Sequence, residues 1–291
     1  MKRRVAKVLA SLAVTTTLWA VSGVVAARVL TMRQRRRHDE PIASSDPFAA
    51  LRLRARDGIE IGAWLAERQD ETAAVVLVHG HGAERTELRD EALALWGAGA
   101  TVMPITVRAH GDSEGEVDDL GWSARADVEA AVAHLERDRP GRRIVVMGYS
   151  LGAAAALYAA SSLGHRVAGY VLVAPYATLE EATRHRTRRM LPRGVEWLAY
   201  EALQLGARVW LPDLDRMHPI DAAASVDVPA LLIAGELDDR APEEEVRRIA
   251  SHIRDARVLV APTLGHDQLG LLVHTRTWSE VERFVAGQAT R

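Results

Sequence analysis

Apolar positions along this chain fall into two regimes. Val8 to Ala27, "VLASLAVTTTLWAVSGVVAA", is a run of twenty residues without a charge. At ~1.5 Å per residue such a run spans ~30 Å as a helix, the depth of a bilayer's hydrocarbon core. Beyond it the pattern shortens. "LRLRARDG" and "IEIGAWLAE" alternate with period two around Asp57-Gly58, which predicts a hairpin. Six nearly continuous apolar runs follow: "AAVVLVHG" (73–80), "ATVMPITV" (100–107), "RIVVMGYS" (143–150), "AGYVLVAP" (168–175), "PALLIAGE" (229–236) and "ARVLVAP" (256–262). Runs of this kind predict parallel strands buried on both faces. Helical stretches separate them, for instance Glu87–Trp96, Ala124–Arg137, Ala153–Ser162 and Pro242–Ile253. The predicted body is an α/β sheet with a two-stranded antiparallel start and six parallel strands. In such sheets reactive groups belong at the carboxyl ends of the strands.

Composition narrows the classes. The 291 residues are 48% apolar and 26% charged, enough for one sizeable core. No cysteine is present, which excludes disulfides, thiolate metal sites and a cysteine nucleophile. Charge divides the chain where hydropathy does: residues 1–40 hold nine Lys/Arg against two acids, and the remainder holds 28 against 37. A mildly acidic body offers no broad basic face for nucleic acid. Residues 1–38 therefore read as a basic anchor that crosses a membrane through residues 8–27. Asp39 to Ala50, "DEPIASSDPFAA", reads as a short linker, and 51–291 as one globular domain. The rival is a cleaved signal peptide with Val25 and Ala27 at the −3 and −1 positions, leaving a secreted protein. The length of the run and the arginines directly downstream favour the anchor. Positive charge is nearly balanced across the span, so the sequence leaves both orientations open.

Two pentapeptides fit G-x-S-x-G, the pattern that presents a nucleophilic serine on a strand-to-helix turn: "GDSEG" at 111–115 and "GYSLG" at 148–152. The second follows a clean strand and opens into "AAAALYAASS", a strong helix former. The first flanks its serine with Asp112 and Glu114, which oppose a developing oxyanion, and no helix starts after it. Ser150 is the candidate nucleophile. Ser113 reads as part of a loop in which it and Asp112 cap local backbone amides.

A serine hydroxyl reacts only when an imidazole takes its proton and a carboxylate fixes that imidazole's tautomer. In a sheet of this type the acid ends a later strand and the histidine follows the last one. "LLIAGELDD" supplies Asp238 and Asp239, and "VLVAPTLGHD" supplies His266. Asp238 is preferred, since Asp239 is expected to pair with its neighbour Arg240. His274 falls within a predicted helix and is set aside. The backbone N–H of Leu151, at a helix N-terminus, is one expected oxyanion donor. "VLVHGHG" at 76–82 offers a second in the N–H of His81. His79 and His81, with no clustered partner, make a poor metal set. No metal and no cofactor is assigned.

These residues resemble the α/β-hydrolase superfamily over nearly all of 51–291. The carriers are "LVHGHG", "VRAHGDSEG", "MGYSLGAAAAL", "LLIAGELDDRAP" and "LGHD", in the family's order and at ordinary spacing. "RAHGDSEG" looks like the family's structural loop after its fourth strand. The aspartate three after Gly235 and four before Pro242 matches the family's triad acid, which is Asp238. More narrowly, the chain resembles membrane-anchored, compact-lid members related to dipeptidyl aminopeptidases and acylaminoacyl peptidases. It departs from them at Thr106, where many relatives carry an acid. The resemblance implies an α/β-hydrolase fold with a mostly parallel eight-stranded sheet, and a serine hydrolase.

Residues 176–228 are too long for a plain crossover and read as a small helical lid. Trp197, Leu198, Leu205, Val209 and Trp210 give it an apolar side that favours small-molecule or lipid-like acyl substrates. Its Arg184, Arg186, Arg188, Arg189 and Arg193 read as a solvated face or as a contact to anionic lipid. The expected activity is cleavage of a carboxylic ester, thioester or amide through an acyl-enzyme. Acyl transfer on the same triad, a silent membrane-tethered scaffold and cofactor-free peroxidase chemistry are the alternatives.

Overall fold

The computed structural model describes residues 2–34 and 42–287. The charge-free run lies within one helix, α1 (Lys2–Leu30), long and apolar enough to cross a membrane. The arginines at 35–37 and the first residues of the expected linker, 39–41, lie outside the described residues. The rest of that linker is packed: Asp46 accepts from Arg89 at 2.6 and 2.8 Å, and the Phe48 ring stacks on Trp64 at 5.3 Å.

The body begins with the hairpin β1 (Ala49–Arg54) and β2 (Glu60–Leu65), turned at Gly58 with φ +90°. Then come β3 (Ala74–Val78), α2 (Arg89–Gly97), β4 (Thr101–Thr106), α3 (Arg125–Asp138), β5 (Ile144–Tyr149), α4 (Leu151–Leu163) and β6 (Gly169–Val173). An insertion carries α5 (Leu179–Met190), α6 (Val195–Trp210) and α7 (Pro219–Ala223). The chain closes with β7 (Ala230–Gly235), α8 (Glu243–Ala250), β8 (Ala256–Ala261) and α9 (Trp278–Val285). The eight strands form one sheet in the order β1-β2-β4-β3-β5-β6-β7-β8. The first two run antiparallel and the remaining six are parallel to one another, as the apolar runs predict.

Every residue of β3 to β7 is buried, because helices cover both faces. Alternate strand positions feed two cores: Ala74, Val76 and Val78 pack toward α3, α4, α7 and α8, and Val75 and Leu77 toward α2 and α9. Pro104 sits inside β4, where a missing N–H breaks a ladder. Val102 exchanges both backbone bonds with Ala66, and the ladder to β2 resumes only at Ile105–Ala63. The proline's missing donor therefore faces an interruption.

α1 lies along α6. A β-carbon on Gly23 would overlap the carbonyl of Ala202, and one on Gly206 would overlap that of Gly23. Gly23 and Ala27 on one helix and Ala202 and Gly206 on the other are each four residues apart. That is the small-residue spacing that lets two backbones approach. The Trp19 and Trp210 indoles donate across the pair to Leu198 O and Val24 O, both at 3.0 Å.

Candidate active site

Ser150 occupies the single residue between β5 and α4, with φ +49° and ψ −108°. A non-glycine residue held there costs of order 1–3 kcal/mol, so the surroundings must impose it. They do so through two glycines. A β-carbon on Gly148 would overlap the backbone of Gly152, and one on Gly152 would overlap Val78 O. The Ser150 N–H donates to Val173 O at 2.8 Å, tying the bend to β6. The hydroxyl is thereby raised above the carboxyl edge of the sheet.

His266 faces it. Its Nε2 lies 3.1 Å from Ser150 Oγ, and its Nδ1 lies 2.8 Å from Asp238 Oδ2. The Asp238 carboxylate is buried, and its Oδ1 accepts the N–H groups of Arg240 and Ala241, both at 2.9 Å. One oxygen is fixed by backbone and the other is left for imidazole. Asp239 is exposed and pairs with Arg189 at 2.8 Å, not with Arg240 as adjacency suggests; Arg240 reaches Asp267 at 2.7 Å. His266 opens a 3₁₀ segment, His266–His274, so the helix expected around His274 takes the tighter 3₁₀ form and begins at His266 itself. His274 closes that segment, roughly 16 Å farther along at ~2.0 Å per residue.

The N–H of Leu151 belongs to the first turn of α4, where donors lack intrahelical partners. The N–H of His81 forms no hydrogen bond among the described residues. Both residues line, with Ser150 and His266, a small pocket of about 20 Å³. The turn carrying His81 is built by two other histidines. His79 donates from Nδ1 to Gly80 O at 2.7 Å and accepts Val107 N–H on Nε2 at 3.1 Å. Burial, reinforced by the neighbouring His110, drives its pKa down to about 3, so it is neutral. His110 accepts Gly82 N–H at 3.2 Å and donates to Arg108 O at 2.9 Å. The His81 ring meets the buried Asp118 carboxylate at 2.7 Å. His81, His110 and Asp118 bring one ligand-type atom each within 4.8 Å of one another, but the His110 nitrogen is already used by Gly82.

Ser113 is buried and far from reactive. Its hydroxyl donates to Thr106 O at 2.6 Å and accepts Gly62 N–H at 2.9 Å, joining β2 to β4 rather than capping local amides. Asp112 instead pairs with Arg85 at 2.6 Å, and Thr106 accepts the same guanidinium at 2.9 Å.

Asp118 and Glu91 escaped the sequence reading, and Arg186, expected in a solvated or lipid-facing row, instead lines the pocket with Ser150 and His266. Asp118 sits in an acidic run with no distinguishing spacing. Arg186 falls seven residues after the buried Leu179 on α5, and that helical interval was the sign that it faces inward. Glu91 lines a second, wider cleft of about 260 Å³ beside Ser150, and is 1% exposed. Burial, with a smaller push from Asp90, raises its pKa from 4.5 to about 7, against the hydrogen bond from Tyr149. Between pH 4.5 and 7 the folded state therefore binds more protons than the unfolded chain, so stability falls as pH rises through that window. The loss is at most roughly 3 kcal/mol. Glu91→Gln is expected to be more stable than the parent at pH 8 and to show no such gain at pH 4.5. Urea unfolding at the two pH values checks this, and an equal difference at both would contradict it.

A family model described as "Serine aminopeptidase, S33" matches residues 69–212. An uncharacterized protein of Mycobacterium tuberculosis is 28% identical over 284 residues, covering 93% of this chain and 94% of that one. Human monoglyceride lipase is 32% identical over 139 residues, covering 46% of this chain and 45% of its own. Among solved structures, an esterase of Pyrococcus furiosus superposes with a TM-score of 0.71 at 22% identity, covering 89% of this chain and 99% of that one.

Proposed function

This chain belongs to the α/β-hydrolase superfamily and is a hydrolase, and from that premise we propose that it cleaves acyl esters, with thioesters and amides as related substrates, through an acyl-enzyme on Ser150. The observation that carries the reading is the unbroken line of hydrogen bonds from Ser150 Oγ through His266 to Asp238. Ser150 attacks the carbonyl carbon as His266 Nε2 takes its proton. The N–H groups of His81 and Leu151 hold the oxyanion. His266 then protonates the leaving alcohol, and a water activated by the same imidazole releases the acid. Asp238 keeps the imidazole in the tautomer whose Nε2 is free to accept.

The likeness to monoglyceride lipase and to an esterase supports acyl, lipid-like substrates. The length and apolar character of α1 support a single-pass anchor through residues 8–27, with 51–291 as the catalytic domain and 176–228 as its lid.

A fluorophosphonate probe tests the nucleophile on the full chain in detergent. Labelling is expected in the parent and in Ser113→Ala, and is expected to be lost in Ser150→Ala and strongly slowed in His266→Ala. A folded parent that stays unlabelled, with or without lipid vesicles, would instead favour a silent, membrane-tethered scaffold.

A further inference from the structure

Between α1 and the insertion helices lies a cavity of about 570 Å³, within the range of ordinary ligand sites. α1 contributes Gly23, Ala26 and Val29 to its wall, and α6 contributes Ala199 and Leu203. Its inner end is formed by His81, Leu120 and Arg186. The same three side chains wall the small pocket that contains Ser150 and His266. Arg186 forms no hydrogen bond or ion pair among the described residues. Moving it aside therefore breaks no such contact, and a chain passing between these three groups reaches the reacting serine.

We infer that this cavity is the seat of the substrate's acyl chain, loaded sideways from the bilayer, so that the N-terminal helix is a wall of the substrate site as well as an anchor. The inference rests on the ester-hydrolase reading above.

Three features support it. α1 is fastened to the body at its inner end: Thr31 O accepts Asp118 N–H at 2.9 Å, and Arg33 donates to the carbonyls of Gly115 and Gly111, both at 3.1 Å. A tether would need no such seating, and Asp118 is the residue whose carboxylate orients His81. The close glycine contacts with α6 fix the cavity's width along the same stretch. Finally, the outer surface around the opening is apolar. Val29 and Leu30 of α1 and Met190 of α5, which line the cavity, are exposed, and α6 adds Trp197 and Leu198. Tryptophan side chains of this kind sit at the headgroup level of a bilayer. Apolar walls facing water would be costly, whereas facing hydrocarbon they present an acyl chain with an environment like its own.

Two variants fill the cavity without touching the triad or the glycine contacts: Ala26→Trp and Ala199→Trp. In full-length protein reconstituted into phosphatidylcholine vesicles, each is expected to lower kcat/KM for p-nitrophenyl palmitate at least about tenfold, with acetate hydrolysis unchanged within about twofold. Val25→Trp, exposed and outside the cavity, is expected to change neither. Equal losses on both esters, or no loss on palmitate, would overturn the inference. A second measurement separates it from the activity. Diazirine-bearing palmitate, photolysed with full-length Ser150→Ala, is expected to cross-link within 22–30 and 199–203. Cross-linking there without ester turnover by the parent would keep the cavity and dismiss the hydrolase. Turnover without cross-linking there would dismiss the cavity and keep the hydrolase.

Discussion

His266→Ala is expected to lower kcat for an activated ester by about 10⁴–10⁶-fold, and Ser150→Ala by a similar factor, with the double variant no worse than either alone. The reason is that the three groups act as one device. Without the imidazole, the Ser150 proton has no acceptor within hydrogen-bond reach along the line that now runs at 3.1 Å to Nε2 and 2.8 Å from Nδ1 to Asp238. Asp238→Asn should cost about 10⁴-fold, because an amide in place of the carboxylate favours the wrong imidazole tautomer. Two of the acid's bonds, to Arg240 and Ala241 N–H, are accepted by Oδ1 and survive in the amide, so the fold should hold. Asp239→Asn is the comparison. It removes only an exposed pair with Arg189, and surface pairs contribute ~0–1 kcal/mol. Steady-state rates on p-nitrophenyl acetate separate the cases. If Asp239→Asn fell while Asp238→Asn stayed within tenfold of the parent, the acid would be misassigned.

What was legible in the sequence follows physical period. The strands β3 to β7 were readable because strands covered on both faces tolerate few polar residues, leaving unbroken apolar runs; β8, expected to be buried likewise, is a half-buried edge strand. Their spatial order was not: β4 sits between β2 and β3, a placement set by crossover and by no local pattern. The bend at Ser150 was readable because a strand, two glycines and an alanine-rich helix adjoin it. The work done by Ser113 was not, since its partners Gly62 and Thr106 meet only once β2 and β4 pair.

Adjacency in sequence misled at Asp239. Arg240 follows it, yet Arg189 on α5 and Asp267 beyond β8 take the two charges, because both elements overhang the end of β7. For α1, the charge-free length was plain and the docking was not. Gly23 with Ala27, and Ala202 with Gly206, carried the sign at matching intervals, but small residues at that spacing speak only when two helices are already known to meet.

Gly152→Ala is expected to be among the most damaging single changes in the body, through position alone. The added carbon would overlap Val78 O and stand 2.6 Å from His79 O, where real side chains do not go. Neither oxygen is free to retreat. Val78 is a fully buried residue of β3, paired with Ile105 on one side and Gly148 on the other, and His79 is pinned through its ring to Gly80 O and Val107 N–H. α4 must therefore shift, at a cost of about 1–3 kcal/mol or more for overpacking in a close-packed interior. The same shift separates the turn carrying His81 from the first turn of α4, so the two N–H groups no longer bracket one point. Loss of one oxyanion donor costs about 10²–10³-fold in kcat. The expected result is a lower urea midpoint together with that loss of rate. Gly97→Ala, at the end of α2 with nothing near its would-be carbon, should show neither. Should Gly152→Ala lose stability yet keep its rate, the donors would lie elsewhere than on His81 and Leu151.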